Sequence, residues 1–580
     1  TGDRNTAIGS CALKVATTAN DNTAVGKSSL TANTSGTGNV SIGNAMEANT
    51  EGNDNTALGN GALQTNTTGD SHTALGRLAL KSNTTADNNT AVGFCSLFTN
   101  TTGSELVAMG FKSLLLNETG QKNIAIGANS LCSNTTGSCN TALGHVAMQL
   151  NTTASNNTAV GFCSLRANTT GTQNVAIGSN ALDANTTGGY SVAVGNSALS
   201  AQTTGANNVA VGRTALNSLT TGTRNTVVGG SYALGAGAAI TTGYHNVIVG
   251  NDAAGTMTEG HNNTVVGTEA LKVNTTGSDN VAIGTKALCT ATTSSSNVAV
   301  GRESMKLTTT GTQNTAVGTD SLVSNTEGSS NVAIGHNALG DNTTATVNTA
   351  VGRDSLCANT TGNSNTAVGH SSLRANTTAC DNTAVGREAM YNTTTGDCNV
   401  AVGHDAGYSN TTGIRNVYIG FGAGYSATTP EGNTFVGRLA GCFGISAGID
   451  AVKNITGTDT HQLVLGNNGT TNAYIKVAFT VTSDLRDKTE IEEVPHGLDF
   501  VSKLNPIKYR FMVSREDPVG TGMKKYGFSA QEILELEGDN NVIIDNHDPE
   551  NLKLTELHLL PVLVNAIKEL KAEIDELKKG

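Results

Sequence analysis

The sequence predicts a mainly β fold, a parallel β-solenoid of about 26 coils of 17 residues, on three observations. Asn-Thr-Ala-Val-Gly at 22 to 26 recurs at 89, 157, 314, 348, 365 and 382, and close variants fill every gap. The repeat starts step by 17 from 5 to 433, apart from one short step at 55 and one long step at 246. That regularity is what coils stacked on coils produce. Composition agrees: 69 glycines, 6 prolines, no tryptophan and 4 % aromatic residues across 580 positions do not suit conventional cores, so small side chains must pack in thin layers.

With the motif asparagine as position 1, the consensus is Asn, Thr/Val, Ala, Val/Ile, Gly, two variable residues, Ala/Ser, Leu/Met, a variable residue, Ala/Ser, Asn, Thr, Thr, Gly and two variable residues. It predicts two short strands and two turns. Positions 2 and 4, such as Val175 and Ile177, share a face of the first strand, and Leu182 at position 9 supplies the large residue of the second. These three are expected to fill the coil interior. Gly at position 5 and the segment Asn185 to Gly188 supply turns, because Gly and Asn tolerate positive φ. Identical residues on successive coils lie about 4.8 Å apart, so Asn365, Asn382 and Asn399 are expected to form an amide ladder.

Position 3 is Ala in most coils, as at Ala24, Ala91, Ala159, Ala210 and Ala316. Placed on the outer face, a demand for a small residue implies close packing by another copy, so an axial homotrimer along the alanine stripe is expected. Three apolar side chains per coil are too few to offset the entropy of ordering 17 residues. The alternative is a monomeric solenoid with a tolerant alanine ladder. Tyr418 and Phe435 depart from the pattern where the chains would splay.

Several functions are excluded. The net charge of −12, from 34 basic and 46 acidic residues, is spread along the chain, which gives no footprint for nucleic acid or an anionic membrane. No apolar run approaches the roughly 18 residues of a membrane span, and Thr1 without a leader reads as a fragment or processed start. The ten cysteines lack metal-ligand spacing, so no metal and no cofactor is expected. Most of them, Cys11, Cys95 and Cys163 among them, read as buried small hydrophobes. Cys380 and Cys398, one turn apart, could form a disulfide.

The period stops after Gly437. This divides the chain into a shaft at 1–437, a β neck or distal tip at 438–482, with Leu463-Val464-Leu465-Gly466 as a last echo, and a separate domain at 483–580. The last domain ends in Leu563, Ile567, Leu570, Ile574 and Leu577, spaced 4, 3, 4, 3. Two readings fit: a short coiled-coil seam, or an amphipathic helix on a globular core.

Two resemblances follow. Asn-Val-Ala-Ile-Gly followed by Ala-Leu resembles the head repeats of trimeric bacterial adhesins, which form left-handed parallel β-rolls from shorter repeats. The C-terminal segment strongly resembles the self-cleaving intramolecular chaperone of phage tail spikes and fibres, the peptidase S74 family known from endosialidases. The residues are Thr482-Ser483-Asp484-Leu485-Arg486-Asp487-Lys488 with Ile491, Leu504-Asn505-Pro506 with Tyr509, Tyr526-Gly527-Phe528-Ser529-Ala530-Gln531-Glu532, and Ala566-Ile567-Lys568-Glu569-Leu570. Asp487 departs from the usual Leu. The resemblance implies a small α+β chaperone ending in a helix or coiled coil. It also implies a single-turnover serine autopeptidase in which Ser483 attacks the carbonyl of Thr482, Lys488 is the general base, and the bond between Thr482 and Ser483 breaks. A desolvated lysine can play that part because its pKa falls toward neutrality.

Together these imply a trimeric tail fibre or spike on a virion, used for host-surface attachment. Near-identical coils could pair out of register by one step, so a C-terminal domain that trimerises first would fix the stagger. A host receptor, such as a glycan, would meet the aromatics gathered after 405: Tyr408, Tyr418, Phe421, Tyr425, Phe435 and Phe443. Aromatic faces suit sugar rings, and plugging of a widening rod is the competing reading. Two other functions remain open. One is a glycan depolymerase, for which Asp54, Glu105 and Asp354 are scattered acids. The other is a cellular adhesin or extracellular filament glycosylated at sequons such as Asn66, Asn134 and Asn376.

Overall fold

The computed structural model describes residues 2–230, 235–440, 449–450, 491–512, 520–538, 542–546 and 552–580. The chain forms two compact units, Thr1–Gly448 and Ile449–Gly580.

The first unit is a parallel β-solenoid. Its strands, β1 (Thr6–Ile8) to β26 (Asn433–Val436), come one per coil and pair in parallel with their neighbours. Equivalent positions lie side by side, as Val175, Ala176 and Ile177 do with Val192, Ala193 and Val194. The expected second strand is absent. Positions 6 to 11 form consecutive turns in which positions 7 and 9 are left-handed, with φ of 56° at Asn180 and 51° at Leu182. Each left-handed non-glycine residue costs roughly 1–2 kcal/mol. Burial of the whole Leu182 side chain and the bond from its N–H to the Ala198 carbonyl at 3.0 Å offset that cost.

The interior reverses the sequence expectation. Ala24, Ala91, Ala159, Ala210 and Ala316 are fully buried within a single chain, whereas Val175 is half-buried and Ile177 is 40 % exposed. Positions 2 and 4 therefore face outward and position 3 faces in. The cause is the narrowness of a 17-residue coil. With leucine at position 9 filling the interior, the opposite wall has room only for alanine.

The largest exceptions follow the same volume rule. Where position 3 grows to Ile248, position 9 shrinks to Ala254, and all of both side chains is buried. Tyr418 occupies the interior between Gly407 and Gly424, where an added Cβ would run into its ring. It stacks on Phe435 with centroids 5.4 Å apart. These aromatics plug the rod, and the expectation of splaying chains at that point is corrected.

Two buried asparagine ladders line the coil. At position 1, as expected, Asn382 Nδ2 donates to Asn365 Oδ1 at 3.2 Å and Asn399 Nδ2 to Asn382 Oδ1 at 3.1 Å. A second ladder at position 12 was not anticipated: Asn66 Nδ2 donates to Asn49 Oδ1 and to the Gly69 carbonyl, both at 2.9 Å. Asn185 is thus a ladder residue and not a positive-φ turn residue. Gly188 is small because a Cβ would strike the Gly205 carbonyl of the next coil, whereas Gly178 at position 5 does adopt φ of 132°.

Both irregular steps fall in the turn between positions 5 and 8. The short coil keeps its strand register, Val40 beside Thr56, and its ladder bond from Asn55 N–H to Asn39 Oδ1 at 3.0 Å. The long coil keeps Thr226 beside Val247 and the bond from Asn246 N–H to Asn225 Oδ1 at 3.1 Å. Strand register and the position-1 ladder are thus kept across both steps.

The second unit is α+β. After β27 (Ile449–Asp450) come α1 (Leu498–Lys503), β28 (Ile507–Met512) antiparallel to β29 (Gly520–Gly527), α2 (Ala530–Glu537), the short pair β30 (Ile544–Asp545) and β31 (Lys553–Leu554), a 3₁₀ turn at Glu556–His558, and α3 (Leu559–Leu577). Phe500, Ile533, Ile543, Ile544, Leu559 and Val562 form its core. Ser529 caps α2 by accepting the Glu532 N–H, the bond expected of a Ser-x-x-Glu start. At the other end of α2 the buried Glu537 carboxylate accepts the N–H groups of Val542, Ile543 and Ile544 at 2.9, 2.7 and 2.9 Å.

Candidate assembly surfaces and processing domain

The outward strand face is the shaft's most uniform surface. Position 4 is Val, Ile, Leu or Met in every coil from Ile8 to Val436. It is also exposed or half-exposed throughout, as at Leu58, Met109, Leu143, Ile283 and Ile334. Apolar residues of one class maintained on an outer face form a stripe on the order of 120 Å long, at about 4.8 Å per coil. Soluble monomers rarely expose apolar patches beyond a few hundred Å². Sequence reasoning missed this stripe, although a signal was available. Position 3 admits Ser41, Val227, Tyr418 and Phe435, whereas position 4 never leaves the aliphatic class.

The aromatic residues suggested for receptor contact separate into two groups. Tyr418 is fully buried, which corrects its assignment to a receptor surface. Burial raises its pKa, and its hydroxyl has no hydrogen-bond partner among the described residues. Tyr408 and Tyr425 stand outside in a column at position 10, with Tyr391–Tyr408 and Tyr408–Tyr425 centroids 5.2 and 5.0 Å apart and nearly parallel. Phe421 stacks on His404 at 5.2 Å, and Arg438 lies 5.7 Å from its centroid on the other side. The ring faces are thus occupied by neighbours one coil away, leaving edges toward solvent. Similar stacks, Phe94–Phe111 and His145–Phe162, occur far from this end. Phe443 lies outside the described residues.

Other candidates are also placed. Asn66, Asn134 and Asn376 are fully buried with their Nδ2 atoms spent on the ladder, so the nitrogen a glycan needs is inaccessible. Asp54 and Glu105 lie three coils apart, about 14 Å at the coil spacing, well beyond the 5–9.5 Å of a glycosidase carboxylate pair. Asp354, on a different turn, bonds Asn337 and Arg353. Of the described cysteines only Cys95 is buried, whereas Cys11 and Cys163 at the same position 7 are exposed and intermediate, so the expectation of mostly buried cysteines is corrected. Cys380 and Cys398 are free thiols. Burial pushes the thiols of Cys132 and Cys357 up, so neither is an activated nucleophile. Among the described residues no group of three His, Cys, Asp or Glu could hold a metal, and no helix is long and apolar enough to cross a membrane.

His72 replaces asparagine at position 1 and preserves the ladder. Its Nδ1 accepts the Asn89 N–H at 3.2 Å, and its Nε2 faces the Ala86 carbonyl at 2.6 Å. That requires the neutral ring with hydrogen on Nε2. Burial lowers its pKa, against smaller raising effects of its backbone bonds and of Asp87 and Asp70.

In the second unit the separate pieces of the C-terminal motif converge. Pro506, Tyr526, Gly527 and Phe528 line one groove with Leu563. Tyr509, Phe528, Ser529 and Gln531 line a neighbouring open groove with Glu556. Residues 483–543 match the Peptidase S74 family, chaperone of endosialidase. The match supports an endosialidase-type chaperone domain C-terminal to the β-solenoid. No curated protein and no solved structure matches the chain. Thr482, Ser483 and Lys488 lie outside the described residues.

The last helix of the second unit presents separate faces. Leu559, Val562 and Ala566 are buried against the domain core. Leu560, Leu563, Ile567, Leu570, Ile574 and Leu577 are exposed and alternate at spacings of 3 and 4, as a coiled-coil seam does. One side of the helix thus packs on the domain core, and the other leaves an apolar row exposed.

Proposed function

We propose that the chain is the shaft of a homotrimeric viral tail fibre or spike, registered by its C-terminal chaperone and released from it by self-cleavage. The observation that carries this reading is the unbroken aliphatic position 4 on the shaft's outer face. A surface repeating at the coil spacing stays matched over 26 strands only against a surface of the same period, and another copy of the same chain in parallel register is such a surface. The contact proposed for the trimer is the strand face, replacing the alanine stripe.

This arrangement explains why a separate chaperone is needed. The short and long coils keep the strand register, so on the strand face neither marks the stagger. A slip by one coil would cost only the terminal contacts. Association of the α3 seams beforehand would set the stagger, and removal of the template would leave a fibre held kinetically.

In the cleavage step the Ser483 Oγ forms a bond to the Thr482 carbonyl carbon while the Thr482–Ser483 C–N bond breaks. Lys488 takes the hydroxyl proton and passes it to the freed Ser483 amine. Water then hydrolyses the ester to give the Thr482 carboxylate and restore the Ser483 hydroxyl. Host contact belongs on the C-terminal coils in this reading, where Phe421 and Tyr425 stay exposed.

The test is denaturing gel mobility of purified wild type beside Ser483→Ala. Wild type is expected to run as two pieces divided at Thr482, and the variant at full length. Identical full-length migration of both would remove the protease reading.

A further inference from the structure

The charge expected to be spread along the shaft is instead sorted around the coil. Two edges border the outward strand face: positions 6 and 7, where the chain leaves the strand, and positions 16 and 17, where it enters the next one. Up to residue 122 the exit edge carries Lys27, Arg77 and Lys112 and no acid. The entry edge carries Asp3, Asp21, Asp54, Asp70, Asp87 and Glu105 against Arg4 and Lys122. All of these side chains are exposed or half-exposed. From 123 to 212 the charged residues are Arg166 and Asp183 alone, and they pair with each other at 2.8 Å.

Neither edge of the first coils is neutralised within its own chain. Later coils pair their cations at home, as Lys272 does with Glu269, Arg353 with Asp354 and Arg387 with Glu388 at 2.8, 3.0 and 3.1 Å. Among the described residues before 123, Arg4 with Asp21 at 2.7 Å is the one ion pair. The entry-edge acids are fixed by backbone: Asp70 Oδ1 accepts the Asn53 N–H at 2.6 Å, and Asp87 Oδ1 the Asp70 N–H at 2.9 Å. The exit-edge cations flank an aromatic stack. Arg77 lies 5.8 Å from the Phe94 centroid, Lys112 lies 5.1 Å from that of Phe111, and the two rings stack at 5.7 Å. A cation held over a ring keeps its full charge for a further partner. With Phe94 37 % and Phe111 48 % exposed, this edge is apolar as well as basic.

Strand, exit edge and entry edge follow one another in the same sense around every coil. Rotation about an axis along the rod therefore brings the exit edge of one chain toward the entry edge of its neighbour. An antiparallel pair would set like edges together.

We infer that the first seven coils are clasped between copies by charge, the Lys27, Arg77 and Lys112 edge of one chain lying against the Asp54, Asp70, Asp87 and Glu105 edge of the next. The clasp rests on the parallel strand-face assembly proposed above and adds what that face lacks, a pattern confined to one end of the shaft. Chains slipped by several coils would set these charges against the sparsely charged stretch beyond 122, where a partly desolvated charge has no partner. Parallel, in-register copies are thereby favoured over both antiparallel and displaced ones.

The experiment compares full-length Ser483→Ala protein, the parent, with three variants of it by sedimentation and by hydrogen exchange of residues 6–126. One reverses the exit edge (Arg77→Glu with Lys112→Glu), one the entry edge (Asp54→Lys with Glu105→Lys), and the third combines all four substitutions. Each single-edge reversal is expected to raise exchange about tenfold at about 0.01 M salt, where screening reaches about 30 Å, and by less than about threefold at about 1 M, where it reaches about 3 Å. The combined swap, in which opposite charges meet again, is expected to return to within about threefold of the parent at low salt.

Parent-level exchange in both reversals, or a swap no better protected than its halves, overturns the clasp while the sedimentation of the parent leaves the strand-face assembly standing. Should a reversal fail to assemble, recovery of assembly by the swap decides the same question. Binding of dextran sulfate to the assembled parent, lost on reversal of the exit edge, overturns the clasp by showing that edge open to a polyanion. Sedimentation of the parent as a single chain overturns the assembly reading and the clasp with it.

Discussion

Replacing Val385, Val402 and Ile419 together by Asp, on the Ser483→Ala background, tests whether the outer strand face is a contact between copies. These position-4 residues sit on three successive coils and are 38, 41 and 42 % exposed in the single chain. Full burial of such side chains stabilises by about 1.5–3 kcal/mol each, so covering the exposed two-fifths contributes roughly 0.6–1.2 kcal/mol per residue, or about 2–4 kcal/mol per chain over three coils. The aspartates remove that contribution. They also place nine carboxylates from three chains around one axis, where each desolvated charge costs several kcal/mol.

If the face is covered, those coils cannot stay joined. Hydrogen exchange of residues 383–436 should rise to that of a loose segment, and the melting transition should fall or split. If the face meets only solvent, the same changes are surface substitutions worth within about 0.5 kcal/mol each. Wild-type exchange protection together with a wild-type melting temperature would refute the strand-face contact, and with it the trimer as drawn.

Two further outcomes are expected. Because burial holds the His72 pKa below its ordinary 6.5, the unfolded chain binds the extra proton first. The stabilisation is therefore whole above pH 6.5 and falls as pH drops below it, at up to about 1.4 kcal/mol per pH unit. Proteolytic nicking of the coils around 55–103 should then rise between pH 7.5 and 5 in wild type and not in His72→Asn, and equal nicking of both at pH 5 would contradict this. Tyr418→Phe should leave the melting temperature unchanged or raise it, since it removes a buried hydroxyl that lacks a partner, whereas Gly424→Leu should loosen the last coils by roughly 1–3 kcal/mol through overpacking. A destabilised Tyr418→Phe alongside a tolerated Gly424→Leu would overturn the interior packing described for the rod's end.

The spacing of the repeat determined the solenoid, the coil count and the position-1 amide ladder, because a 17-residue period sustained with only two irregular steps admits only stacked coils. The 3 and 4 spacing after Leu560 likewise marked α3, and the split motif from Pro506 to Gln531 marked one site whose pieces the fold then brought together. Which face of the strand looks inward was decided only by the tertiary structure. Alternation places positions 2 and 4 opposite position 3, but it does not say which side is the interior. That choice depends on how much of a 17-residue loop is already filled by Leu at position 9 and by two asparagine ladders, a volume condition across the coil that no local pattern contains. The same condition buried Tyr418 and the sequon asparagines and turned the aliphatic position 4 outward.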